Sequence, residues 1–303
     1  MKKETIGVTL ALLAAVVSGI SIPANKFFIV NLSPAVFTAV RAVIIGTVFL
    51  VIASYQARKH RRKFKVVPWS YLIAIAVIGG AAAFLIYFTG LQLTTAGRAA
   101  FLYHSVLTIV TVVLAAAFLS ERMGRRMVAA LAVMLIGTLI LYFSQVPSSQ
   151  IWSNPSLGDL LIIVASILWA IEYVISRKVM RMGETNFVVS FARMFFGGLI
   201  LFGFVIITGN VSVLLKLSLQ QWMNIGVSTV LLFVYTLCWY WSLRYINVSK
   251  ATSLLLLAPI IALIGGVFIL GEPAPLLQIL GSAVIIVGAY IVVGVKSEYG
   301  KKR

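Results

Sequence analysis

Seven carboxylates, two histidines and one cysteine are all that 303 residues offer for acid, base or metal chemistry. The carboxylates are Glu4, Glu121, Asp159, Glu172, Glu184, Glu272 and Glu298, and no two stand within a few residues of each other. Phosphoryl or prenyl transfer inside a membrane needs paired carboxylates to hold Mg²⁺, so this spacing counts against a membrane-embedded enzyme. His60 falls in a loop and His104 in an apolar stretch, which excludes bis-histidine haem ligation within the bilayer. The single Cys238 excludes an internal disulfide and every cysteine-held metal or cluster. Neither a Walker A loop nor a G-x-S-x-G elbow occurs. Neither a cofactor nor an enzymatic activity is expected.

The remaining chemistry lies in ionisable and aromatic residues embedded in apolar runs, where each charge costs several kcal/mol unless paired or hydrated. Glu172 and Arg193 fall at similar depth from the same side on consecutive helices, about 8 and 10 Å in at 1.5 Å per residue, which predicts an ion pair. Such a pair either locks two helices together or couples proton movement to a transported solute. Arg41 has the mirrored depth from the other face but no carboxylate in the equivalent place; it either accepts a substrate carboxylate or, as the sequence favours, snorkels to the headgroups. Lys26 invites the same snorkelling account. Glu121 and Glu272 stand just before the fifth and tenth apolar runs and are expected to cap those helices.

Polar-tipped aromatics facing lipid would leave donors unpaired, so the deep ones should face the bundle interior. Tyr87, Tyr103, His104, Trp169, Tyr173, Tyr235, Trp239 and Ser253 are the candidate substrate-binding residues, with Glu172, Arg193 and Arg41 as coupling or ion-pair candidates. An aromatic lining suits a small amphipathic solute through stacking and cation–π contact.

The elements that must position these groups follow from composition. With 61% apolar residues and only 11% charged, the chain has material for roughly nine or ten spans of about 20 residues and nothing left for a soluble domain. Ten apolar runs can be placed: 6–30, 34–54, 69–93, 99–119, 127–143, 157–176, 187–208, 222–243, 251–270 and 276–295. The first, preceded by Lys2 and Lys3, has no convincing cleavage site and is expected to be retained. The net charge of +18 reflects basic residues between runs, which argues against a nucleic-acid partner. If the chain starts inside, 20 of the 25 basic residues fall on the inner side and only Arg98 and Lys216 on the outer, which predicts cytoplasmic termini in the cell membrane.

Sliding the chain on itself by about 152 positions places Lys26 on Lys178, Arg41 on Arg193, Leu91 on Leu243, Arg98 on Lys250 and Ala99 on Ala251. One residue of slippage later, Glu121 falls on Glu272 and Gly137 on Gly288. Each half holds five spans, an odd number, so the second half must enter the membrane from the opposite side. The expected fold is an all-α membrane protein with ten transmembrane helices as two inverted five-helix repeats, residues 1–145 and 157–296, followed by a basic tail, 297–303. Exchanging the conformations of two such halves converts an inward-open cavity into an outward-open one.

Ala251, Ser253, Pro259, Leu270, Gly271, Glu272, Gln278 and Gly281 in the second half, with Gly19, Lys26, Leu119, Ser120, Glu121 and Arg122 in the first, stand at a familiar spacing. On them the chain resembles the drug/metabolite transporter superfamily, EamA type, over essentially its whole length. Ser18 departs from the usual Trp, and Ser105 and Val106 stand near a usual Pro. The resemblance implies a secondary transporter moving small metabolites, with amino-acid export the leading expectation. Efflux of lipophilic cations, drugs or nucleotide-derived solutes is the alternative in the same class, and a non-transporting interaction protein the alternative outside it. Helices five and ten, the least polar, are expected to face lipid or a second copy in a homodimer.

Overall fold

The computed structural model describes residues 3–59, 67–145, 156–270 and 275–296. Ten helices long and apolar enough to cross a membrane follow one another, as the apolar runs predict. They are α1 (Lys3–Phe28), α2 (Pro34–Lys59), α3 (Trp69–Leu93), α4 (Ala96–Leu119), α5 (Arg125–Ser144), α6 (Leu157–Arg181), α7 (Asn186–Ile207), α8 (Leu219–Tyr245), α9 (Val248–Gly265) and α10 (Leu276–Gly294). Glu272, Glu298 and His60 lie outside the described residues, so the cap expected of Glu272 finds no description here.

Helix ends recur with the period seen in the sequence. Asn186 follows Pro34, Tyr245 follows Leu93 and Val248 follows Ala96, each by 152 positions. Packing recurs too: α1 packs on α8 as α6 packs on α3, α4 packs on α6 as α9 packs on α1, and α2 packs on α7 and α5 on α10. Each contact maps onto another, or onto itself, when α1–α5 are exchanged for α6–α10.

Local sequence explains the ends and breaks. Thr95, Ser156, Thr185 and Ser218 cap the starts of α4, α6, α7 and α8, the second and fourth through capping boxes with Asp159 and Gln221. Pro259 lacks the N–H that would reach back to Leu255, and α9 is broken there, between Leu255 and Ala258. The helical ladder widens to π geometry at Ile75–Ala82 in α3 and at Ala192–Phe196 in α7. These wide turns meet where glycines let backbones touch: a Cβ on Gly80 would strike the Arg193 carbonyl, and one on Gly197 the Gly80 backbone.

Basic side chains close several helix C-termini, where carbonyls lack intrahelical donors. The Lys26 ammonium donates to the carbonyls of Leu91, Gln92 and Thr94 at the end of α3, at 2.6, 3.1 and 2.6 Å. Arg177 donates to the Leu243 carbonyl at the end of α8, and Lys250 to those of Val293 and Val295 at the end of α10. Glu121 corrects an expectation. Its carboxylate accepts from the backbone N–H of Val248 and of Ser249, both 3.1 Å, and from the Ser249 hydroxyl at 2.8 Å, so it caps α9 and not α5. Ser120, at φ 53°, turns the chain out of α4 and carries Glu121 across to that helix start. Arg181 holds the same carboxylate at 3.1 Å.

Helices α5 and α10 pack against each other, Gly137 close on the Gly281 carbonyl and Gly288 on Met134. Their outward faces, with Val128, Ile136, Leu280, Ile286 and Tyr290, stay exposed and apolar. The polar residues turn the other way, into the bundle.

Candidate functional site

Seven helices, from both halves of the chain, wall a cavity of about 70 Å³. α1 contributes Ser18, Ser21, Ile22 and Asn25, residues spaced three and four apart and therefore on one helical face. α2 contributes Arg41; α3 Phe84, Tyr87 and Phe88; α4 Tyr103; α6 Trp169 and Tyr173; α7 Arg193; α8 Leu232 and Tyr235. The space equals two or three waters of liquid volume, too little for a metabolite until the helices part.

Trp169 is the hub of the aromatic wall. Its ring lies 5.1 Å from Tyr87, 5.2 Å from Phe84 and 5.3 Å from Tyr103, and the contacts with Phe84 and Tyr103 are edge-to-face. Its indole N–H donates to the Gly79 carbonyl at 3.0 Å. That carbonyl belongs to the π turn of α3, and Arg193 Nε donates to it as well, at 3.3 Å. The widened turn thus presents one backbone oxygen to two cavity residues, a placement regular α-helix does not offer. Across the cavity the hydroxyls of Tyr173 and Tyr235 are bonded at 3.0 Å.

The ion pair expected between α6 and α7 is present. Arg193 Nε lies 3.5 Å from Glu172 Oε2, and both residues are buried, at 1% and 0% exposure. Glu172 Oε1 accepts from the Tyr240 hydroxyl at 2.6 Å and from the Ser176 hydroxyl. Because α6 continues to Arg181, Glu172 lies nine residues from the helix end, deeper than an end at Ser176 implies. The guanidinium also faces the rings of Phe84, Tyr173 and Tyr240, at 5.1, 5.7 and 5.7 Å. Arg193 reaches the cavity; Glu172 stands behind it.

Arg41 overturns the snorkelling expectation. It is 1% exposed and turned inward, because the rings of Phe37 and Phe88, 4.4 and 4.7 Å from its guanidinium carbon, and two polar side chains hold it there. Its Nη1 donates to the Ser228 hydroxyl oxygen at 2.6 Å and to Asn25 Oδ1 at 3.5 Å, while the Ser228 hydroxyl donates on to Asn25.

Of the candidate residues read from the sequence, Tyr87, Tyr103, Trp169, Tyr173, Tyr235, Arg41 and Arg193 meet at the cavity. Trp239, His104 and Ser253 do not. Trp239 is wholly buried behind the wall, stacked parallel on Tyr235 with centroids 6.2 Å apart and packed 4.5 Å from Tyr173. His104 bonds the Ala100 carbonyl at 2.8 Å through Nδ1, which therefore carries the proton, leaving Nε2 to accept from the Ser18 hydroxyl at 3.1 Å. Ser253 spends its hydroxyl on the Ser249 carbonyl of its own helix, at 2.8 Å. Ser18, Ser21, Asn25 and Ser228 are not among the candidate site residues read from the sequence, although 18, 21 and 25 share a face of α1. Among the described residues no cluster of three or more His, Cys, Asp or Glu side chains is suited to a metal ion.

Comparison with known proteins places this architecture. The chain is 24% identical over 286 residues to an uncharacterized transporter of Archaeoglobus fulgidus, covering 91% of this chain and 94% of the relative. It is 27% identical over 272 residues to the uncharacterized transporter YoaV of Bacillus subtilis, covering 88% and 90%. A probable amino-acid metabolite efflux pump of Salmonella typhimurium is 24% identical over 294 residues, 93% of each chain. A protein of known crystal structure shares the fold, with a TM-score of 0.67 at 21% identity over 95% of this chain and 94% of its own. The EamA-like transporter family matches twice, over residues 5–143 and again over 156–294. With both halves of its ten-helix bundle so matched, the chain belongs to the EamA-like transporter family and is a multi-pass membrane transporter of small molecules.

Proposed function

We propose that this protein exports small amphipathic metabolites, amino acids above all, from the cytoplasm by alternating access. The observation that carries the reading is the aromatic cavity lined by helices of both halves, where a solute can stack on Trp169 and Tyr87 and reach two guanidinium groups. In this reading residues 1–145 and 157–296 are inverted five-helix repeats, both termini lie in the cytoplasm, and the protein resides in the cytoplasmic membrane. The exchange symmetry of the helix contacts supports the repeats, and the distribution of basic residues supports the orientation. The printed name of the Salmonella relative supports the cargo. Arg41 disfavours the alternative of lipophilic cations, since a cationic cargo would meet an uncompensated positive charge in the cavity wall.

Glu172 is the coupling element of this reading. Protonating it releases Arg193, whose guanidinium is then free to move with the cavity wall. Uptake of each labelled amino acid into proteoliposomes, with and without a pH gradient, tests both statements. Saturable flux that responds to the gradient is expected, and Glu172→Gln should exchange solute while losing the gradient response. Absence of saturable flux for all twenty amino acids contradicts the cargo.

A further inference from the structure

The two equivalent arginines differ in one respect that bears on the cargo. Arg193 has an internal counterion, Glu172, held by the hydroxyls of Ser176 and Tyr240. Taken back by 151 or 152 positions, Glu172 falls on Ser21 or Ile20, Ser176 on Asn25 or Ala24, and Tyr240, at 152, on Phe88, so no carboxylate stands in the first half's equivalent place. The first half has kept the arginine and lacks the carboxylate. Among the described residues no carboxylate lies within ion-pair distance of Arg41, whose bonds all go to the neutral side chains of Asn25 and Ser228. Its Nε is fully buried and has no hydrogen-bond partner. A guanidinium without a counterion in a membrane interior is expensive, and this one forms part of the cavity wall.

We propose that Arg41 is the receptor for an anionic group of the cargo, so that the transported solutes carry a carboxylate joined to an apolar or aromatic body. The unpartnered Nε–H and a neighbouring Nη–H present the two-pronged edge that a carboxylate fits. Phe88 and Tyr87, adjacent in the wall, receive the body of the solute. This assignment rests on the cavity being the transport site, and it narrows the substrate class from amphipathic metabolites to carboxylates.

Calorimetric titration of the purified full-length protein tests it with L-phenylalanine, L-phenylalaninamide, 3-phenylpropionate and 3-phenylpropanamide. Each acid should bind at least about tenfold more tightly than its amide, the scale of one charge-assisted bidentate contact. In Arg41→Gln the preference should fall to within about twofold, and Arg41→Lys should keep part of it. Binding of 3-phenylpropionate without L-phenylalanine supports the receptor and contradicts the amino-acid cargo. Equal binding of acids and amides by the unaltered protein, failure of both acids to bind, or an undiminished preference in a folded Arg41→Gln overturns the assignment. Should Arg41→Gln not fold, the acid-to-amide ratio of the unaltered protein decides alone.

Discussion

Glu172 and Arg193 are costly side chains to keep in a bilayer interior, and their energetics follow from the company each keeps. Removing one partner strands the other without compensation, at about 3–5 kcal/mol, whereas removing both also removes the stranded charge. Glu172→Gln and Arg193→Gln should each lower the melting temperature in detergent, and the double variant should melt above the lower of the two. Additive losses would show that the 3.5 Å pair carries no coupling. Glu121 is a different case, since its contacts are a helix cap far from the cavity wall. Glu121→Ala should destabilise by about 1–3 kcal/mol, through lost bonds to Val248, Ser249 and Arg181, while leaving solute discrimination unchanged. Side-chain identity made the Glu172–Arg193 pair and most of the aromatic wall readable from the sequence. Trp239 and His104 were assigned to the wall by depth and polar tips, Trp239 also by its repeat match to Tyr87, and Ser253 as a small polar residue near Pro259; none of these fixes what a side chain packs against. Tyr235 and Trp239 stand four apart on one face of α8 and stack on each other, so what separates them is one turn of height: Tyr235 meets the cavity and Trp239 backs it.

At the scale of elements, the ten spans were readable because length and apolar composition specify a membrane helix almost by themselves. Pro259 sits at the break in α9, whereas Pro23 is accommodated within a continuous α1, so a proline inside a span does not by itself tell which helix breaks. The glycine pairs 79–80 and 197–198 mark where α3 and α7 can approach closely, but the π turns beside that crossing, at Ile75–Ala82 and Ala192–Phe196, are not specified by the local sequence. This crossing gives a test. Gly80→Leu forces α3 from the Arg193 backbone and should cost about 1–3 kcal/mol or more, read as a fall in melting temperature. Gly203→Ala, in the same α7 with open space around it, should be neutral or stabilise by up to about 1 kcal/mol. Equal effects at the two sites would remove the crossing from the account of what holds the cavity.

For the whole molecule, the repeat was readable from a few landmarks, charged ones such as Arg41 and Arg193 and small or apolar ones such as Ala99 and Ala251, that survive at an offset of 151 to 152; most surrounding apolar residues carry little register. The same economy explains the asymmetry of the cavity, where one half supplies its own carboxylate and the other leaves a cation facing the solute. Transport by this bundle requires that the cavity open to each side of the membrane in turn. Ser21 reports on that directly, since it lies in the cavity wall and cysteine is close to it in size. In a Cys238→Ser background, Ser21→Cys should react with a membrane-impermeant maleimide from either face of oriented vesicles. A saturating solute should slow both reactions. Labelling confined to one face, or absent from both, would contradict alternating access around this cavity.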